Sequence, residues 1–136
     1  MKPLDYLKAV GVGLAALALN LALTTAAIFA YAMLIEPGRP ADHYTAMAPK
    51  IAAWTAPVGG ALLMFAAAYG LARRRPQRPA VAFGLAVFVA YAFIDAASGL
   101  PMGGLKALMT PVFAISMTLA LLGALAGGAL AARRRT

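Results

Sequence analysis

Four long runs of apolar residues, separated by short polar segments, dominate this chain. The runs cover residues 10–35, 51–72, 80–94 and 107–132. At a rise of about 1.5 Å per residue, a helix needs about 20 residues to cross the hydrocarbon core of a bilayer. Three runs reach that length, whereas the third reaches it only when Asp95 is included. We therefore predict four transmembrane helices, at about residues 6–35, 50–72, 79–97 and 106–132.

Proline, glycine and charged residues fill the three segments between these runs. The segments are residues 36–50, 73–79 and 98–104. Their composition predicts loops, and their shortness makes successive helices antiparallel neighbours. The predicted fold class is an all-α membrane protein. It is a single domain over residues 1–136, in which four transmembrane helices form an up-down-up-down bundle.

Composition supports a membrane environment. Of 136 residues, 63% are hydrophobic and 12% are charged, whereas charged residues make up about a quarter of a soluble domain. One small core cannot bury so many apolar side chains, so lipid must solvate many of them. The chain has no cysteine, which excludes disulfides, thiolate metal sites and thiol nucleophiles.

The net charge of +8 is distributed unevenly along the chain. Nine cationic side chains flank the same ends of the predicted helices: Lys2, Lys8, Arg73, Arg74, Arg75, Arg78, Arg133, Arg134 and Arg135. The other ends have three: Arg39, Lys50 and Lys106. Lys and Arg favour cytoplasmic loops, so both termini are predicted to be cytoplasmic. Contact of these clusters with anionic headgroups explains the charge better than nucleic-acid binding does.

The first run is too long for a cleaved signal peptide, whose apolar region has about 7–15 residues. We therefore interpret it as a retained helix. The preference for alanine and arginine is typical of a GC-rich bacterium. Together these features predict a multi-pass protein of a bacterial inner membrane.

Asp95 is the first candidate functional residue. It would lie about 22 Å from Ala80 along a helix that crosses about 30 Å of hydrocarbon. A charge at mid-membrane costs about 2.5–3.5 kcal/mol and tends to find a partner inside the bundle. Tyr91, Ser98 and Lys106 are candidate partners, as is Lys50 from another element. A structural contact, a proton or cation site, and snorkelling to the surface all remain open.

The other polar candidates have simpler interpretations. Glu36 follows a full-length apolar run, so it can reach the outer headgroups near Arg39 or Lys50. Asn20 lies near the middle of the first helix and shares a face with Thr24, which indicates an interhelical hydrogen bond or a substrate contact.

Gly123 and Gly127 form a GxxxG pair in the fourth helix, and they favour helix packing within the chain or in a homodimer. Pro57 and Pro111 are both predicted to interrupt helical hydrogen bonding inside a span.

The two halves of the chain show a faint repeat in the order of their residue types. Each half contains a tyrosine, an acid, a loop, a lysine, a proline and three arginines, in that order. Tyr31, Glu36 and Pro57 would correspond to Tyr91, Asp95 and Pro111. The spacings differ, so both chance and a duplication remain open.

No catalytic or cofactor motif is present in the sequence. One histidine and no cysteine cannot form a closed zinc site, and no nucleophile–base arrangement is recognisable. We expect no cofactor and no enzyme activity. The leading hypothesis is a non-catalytic structural or accessory subunit in contact with the lipid bilayer and with a partner membrane protein or a second copy. The alternative is a small transporter or channel that uses a membrane-embedded carboxylate.

Overall fold

Helices make up almost all of this protein. The computed structural model describes residues 1–74 and 79–134, with side chains for all of these except residues 102, 103 and 107. Of the described residues, 91% are helical and none belongs to a strand. The helices are α1 (Pro3–Ala30), α2 (Ala41–Arg73), α3 (Ala80–Leu108) and α4 (Pro111–Arg133), and a π-helical turn (Tyr31–Ile35) extends α1.

Four spans are long and apolar enough to cross a membrane, as the sequence predicts. They are Pro3–Ile35, Ala41–Arg73, Ala80–Pro101 and Pro111–Arg133. Large apolar side chains cover their outer surfaces, including Trp54, Leu62 and Phe93. In water such a surface would be strongly unfavourable, whereas in a bilayer it faces chemically similar lipid tails.

The connection between α1 and α2 is shorter than the predicted loop of residues 36–50. Helix α2 already begins at Ala41, directly after the extended N-cap Pro40. Asp42 in the first turn complements the positive end of the helix dipole. The helix then continues through Pro49 and Pro57, because each interior proline removes only one main-chain hydrogen bond.

The third helix is longer than the predicted residues 79–97. It includes residues 98–104, whose proline and glycines predict a loop. In apolar surroundings, main-chain groups are best satisfied inside a helix, and this outweighs the weak propensities of these residues. The helical backbone is interrupted only at Gly104, where φ is 60° and ψ is −158°. Glycine adopts this conformation at little cost.

The fourth helix begins at Pro111 instead of residue 106. The Thr110 side chain accepts a hydrogen bond from the Phe113 N–H at 3.2 Å, which caps the helix. Proline at the first helical position has no N–H to leave unsatisfied. Lys106 therefore belongs to the last turn of α3. The prediction that Pro111 interrupts a helix is wrong for the same reason.

The helices pack through small residues around a narrow core. The largest fully buried side chains are Phe83, Met64 and Val87. Helix α2 makes its most extensive contact with α4. A Cβ atom on Gly123 would collide with the Ala61 carbonyl oxygen, and one on Gly127 would collide with that of Phe65. This glycine-rich face of α4 is therefore covered by α2 of the same chain.

Candidate functional site

Asn20 lies where α1 meets both α2 and α3. Its side chain is only 5% exposed. The Nδ2 group donates one hydrogen bond to the Ala56 carbonyl oxygen in α2 and another to the Tyr91 hydroxyl in α3, each at 3.1 Å. Tyr91 is itself only 3% exposed. One amide thus connects three helices, and we call Asn20, Ala56 and Tyr91 the polar junction.

Two glycines of α2 make room for the polar junction. A Cβ atom on Gly59 would collide with the Asn20 Oδ1 atom. A Cβ atom on Gly60 would lie 3.2 Å from the Tyr91 hydroxyl and 3.5 Å from the Asn20 Nδ2 atom. The two glycines come two and three residues after Pro57. About one turn of α2 therefore supplies both the space for the Asn20 side chain and the Ala56 carbonyl oxygen that accepts its hydrogen bond.

The chemistry available at the polar junction is hydrogen bonding. Both donors of the Asn20 amide are used, while its Oδ1 atom is buried without a hydrogen-bond donor among the described residues. A neutral amide and a phenol provide neither a nucleophile nor a general base of ordinary strength at neutral pH. The geometry therefore favours a contact that holds helices together.

A second polar contact lies one turn further along α1. The Thr55 hydroxyl of α2 is 3.4 Å from the Thr24 hydroxyl, a distance typical of a weak hydrogen bond at most. The same Thr55 hydroxyl donates to the Ile51 carbonyl oxygen at 3.0 Å within its own helix. Thr24 thus stays close to the face of α1 that carries Asn20, and both residues face α2.

Asp95 lies in α3, one turn beyond Tyr91, and is half-buried. Among the described residues, no hydrogen bond or ion pair to its carboxylate is formed. Ser98, one of the predicted partners, instead donates to the Asp95 main-chain carbonyl oxygen at 2.8 Å. Lys106 follows the Gly104 interruption. The described residues therefore supply no partner for this carboxylate, which lies within a span.

Glu36 has a different environment from Asp95. Its carboxylate contacts the His43 imidazole and lies 3.8 Å from the Arg39 Nε atom. The Tyr44 hydroxyl donates to the Glu36 carbonyl oxygen at 2.7 Å and accepts the Arg39 N–H at 2.9 Å. The sequence indicates Arg39 as a partner of Glu36, whereas the contact with His43 becomes visible only in the folded turn.

The π-helical turn at the end of α1 sets the position of Glu36. The Glu36 N–H donates to the carbonyl oxygen of Tyr31, five residues earlier, at 3.1 Å. This widened turn ends the helix just before Pro37 and Gly38. Tyr31 and Glu36 therefore belong to an irregular helix end, whereas Tyr91 and Asp95 lie inside a regular helix. The corresponding positions of the faint repeat have dissimilar surroundings.

Neither a metal site nor a family assignment emerges from these residues. Among the described residues, no three His, Asp or Glu side chains gather closely enough to hold a metal ion. No protein-family model matches the chain, and no significantly similar protein was found among curated sequences or solved structures.

Proposed function

We propose that this protein is a small, non-catalytic structural or accessory subunit of a bacterial inner membrane. In this proposal it acts through helix–helix contacts with a partner membrane protein or with a second copy. The observation that carries the proposal is the polar junction. Asn20, whose amide is buried, donates hydrogen bonds that connect α1 to α2 and α3.

We further propose an up-down-up-down arrangement with both termini in the cytoplasm. Contacts between α3 and α4 support it, because Gly84 lies beside Ala124 while Val81 lies beside Gly128, so the residue numbers run in opposite directions. The excess of Lys and Arg, nine against three, supports a cytoplasmic location for the termini and for the loop between α2 and α3.

The absence of cysteine makes this topology directly testable. Lys2→Cys and Asp42→Cys introduce single thiols at exposed positions, one before α1 and one at the start of α2. In spheroplasts, a membrane-impermeant maleimide should label Asp42→Cys, and should label Lys2→Cys only after permeabilisation. The opposite pattern would reverse the proposed orientation.

The position of Asp95 supports the proposal that the protein has a partner within the membrane. A carboxylate in a span is costly, and it normally faces a compensating group. The described part of the chain provides none, so a donor or cation from another polypeptide would complete the site. Ser98, which is exposed and lies one helical turn beyond Asp95 on the same face of α3, would lie close to such a partner.

Site-specific photocrosslinking in native membranes tests this proposal. A photoreactive residue at Ser98 should form one discrete protein adduct. The matched control is Leu62 in α2, which is 65% exposed. Replacing Asp95 with Asn should weaken the adduct formed from position 98. Adducts with lipid alone from several exposed positions on all four helices would refute an accessory role.

One observation favours a second candidate, a small proton or cation transporter. Asp95 is one helical turn from Tyr91, and Tyr91 accepts a hydrogen bond from Asn20. Asn20, Tyr91 and Asp95 are thus neighbouring polar residues inside the spans. Asp95→Asn should leave folding nearly intact and should abolish proton-coupled flux, measured with a pH-sensitive dye in reconstituted vesicles. Wild-type flux no greater than that of protein-free vesicles would eliminate this candidate.

A further inference from the structure

A groove of about 530 Å³ lies between α1, α2 and α3, away from the polar junction. Its apolar lining includes Gly11 and Val12 of α1, Leu71 of α2, and Phe83 of α3. Phe83 is fully buried and closes the inner side of the groove. Volumes of this size are typical of sites for small organic ligands.

Two cationic side chains complete the lining. Lys8 precedes Gly11 by about one turn of α1, and Arg74 follows Leu71 by about one turn of α2. Both lie towards the same end of the groove, at the start of α1 and at the end of α2. Neither forms an ion pair with a carboxylate in the described part of the chain. The groove thus has an apolar interior and a positively charged rim.

Gly11 keeps the groove open. Among the described residues, no atom lies within 4 Å of the position that a Cβ on Gly11 would occupy. Two positions later in the same helix, a Cβ on Gly13 would lie 2.9 Å from the Tyr91 main-chain nitrogen. Helix α1 therefore packs directly on α3 at Gly13 and leaves space at Gly11.

We propose that this groove binds one anionic phospholipid. The phosphate would lie between the Lys8 ammonium and the Arg74 guanidinium, and an acyl chain would lie along Val12, Leu71 and Phe83. Basic pockets between transmembrane helices favour anionic headgroups in this way, because each Lys or Arg near the headgroup contributes about 1 kcal/mol. A soluble anion would satisfy the two cations but would leave the apolar walls without a ligand.

Native mass spectrometry of the full-length protein in mild detergent tests the proposal. The probes are phosphatidylglycerol and phosphatidylcholine with identical acyl chains, and inorganic phosphate as a competitor. Wild-type protein should retain one phosphatidylglycerol in preference to phosphatidylcholine. Equal retention of the two lipids would overturn the proposal. Displacement of phosphatidylglycerol by an equal concentration of inorganic phosphate would instead assign the site to a free anion.

The charge variant is Lys8→Gln together with Arg74→Gln. Each removed charge should weaken phosphatidylglycerol binding about fivefold, so the pair should weaken it about 25-fold. The matched control, Lys2→Gln with Arg73→Gln, removes the same charge from exposed positions outside the groove lining. An equal loss of phosphatidylglycerol binding in the control would show that only the net charge matters, and it would overturn the proposed site.

The steric variant is Gly11→Phe, which places a ring inside the groove. Its matched control is Gly70→Phe in α2, where the described residues also leave the Cβ position free within 4 Å. Gly11→Phe should abolish retention of the lipid, whereas Gly70→Phe should bind it as the wild type does. Circular dichroism checks that both variants remain helical. Normal lipid retention by a folded Gly11→Phe variant would overturn the proposal.

Discussion

Two sides of the bundle are held together in different ways. One is the contact of α2 with α4, and the other is the contact of α1 with α2 and α3. On the α4 side, Gly123 and Gly127 bring two backbones so close that a single added carbon would collide with a carbonyl oxygen. On the α1 side, comparably close approach occurs at Gly13, while Gly11 borders an open groove. Hydrogen bonds from Asn20 supplement the packing there.

This difference shows that helices solvated by lipid can be held together in two ways within one bundle. Lipid tails are as apolar as leucine, so burial of apolar surface gives little net attraction between helices. Close van der Waals contact of α2 with α4 at Gly123 and Gly127 supplies such attraction. The side of the bundle formed by α1 adds directional hydrogen bonds to close packing, and it borders an open groove. Substitutions on the two sides should therefore differ in size and in kind.

The largest effect is expected on the α4 side. Gly127→Leu should lower the free energy of unfolding by about 3 kcal/mol, because the two backbones must separate to admit the side chain. Denaturation in mixed micelles measures this. The control Gly70→Leu, where the Cβ position is free among the described residues, should change stability by less than about 0.5 kcal/mol. Similar values for both variants would contradict the close contact of α2 with α4.

An intermediate effect is expected at the polar junction. Asn20→Ala removes the hydrogen bonds to Ala56 and Tyr91 and leaves a small void beside Gly59. Interhelical hydrogen bonds in membranes contribute on average about 0.6 kcal/mol each, so the loss should be about 2 kcal/mol once the void is included. The same micelle titration measures it. A variant as stable as the wild type would refute the structural role of Asn20.

The smallest effect is expected for Tyr91→Phe. This substitution removes one hydroxyl and keeps the ring, so the free energy of unfolding should fall by about 0.6 kcal/mol. In the Asn20→Ala background the same substitution should cost almost nothing, because its partner is already absent. A double-mutant cycle measures this coupling. Full additivity of the two substitutions would show that the hydroxyl and the amide do not interact.

The number and the apolar nature of the helices could be predicted, but their ends could not. Apolar runs of adequate length are sufficient to predict four spans. Residues 98–104 look like a loop, yet they are helical up to Gly104. In a helix interior a glycine costs about 1 kcal/mol and a proline about 3 kcal/mol, whereas each unsatisfied main-chain group in an apolar environment costs several kcal/mol. Tertiary surroundings therefore decide where these helices end.

Part of the candidate site was also predictable. Asn20 stands out as the one amide in a long apolar run, and Tyr91, four residues before Asp95, shares a helical face with that carboxylate. Their mutual hydrogen bond spans 71 positions of sequence, a separation that no local pattern reveals. The space left by Gly59 and Gly60 looks like ordinary small-residue packing until the position of Asn20 is known.

The sequence by itself determined that this is an all-helical chain with four spans suited to a membrane, because length and apolarity act locally along each helix. Only the tertiary structure decided which polar residues meet. It joins Asn20 to Tyr91, joins Glu36 to His43, and leaves Asp95 without a partner in the described chain. These outcomes depend on helix rotation and depth relative to neighbouring helices. Rotation and depth in turn are set by where small residues permit close contact, which hydropathy does not record.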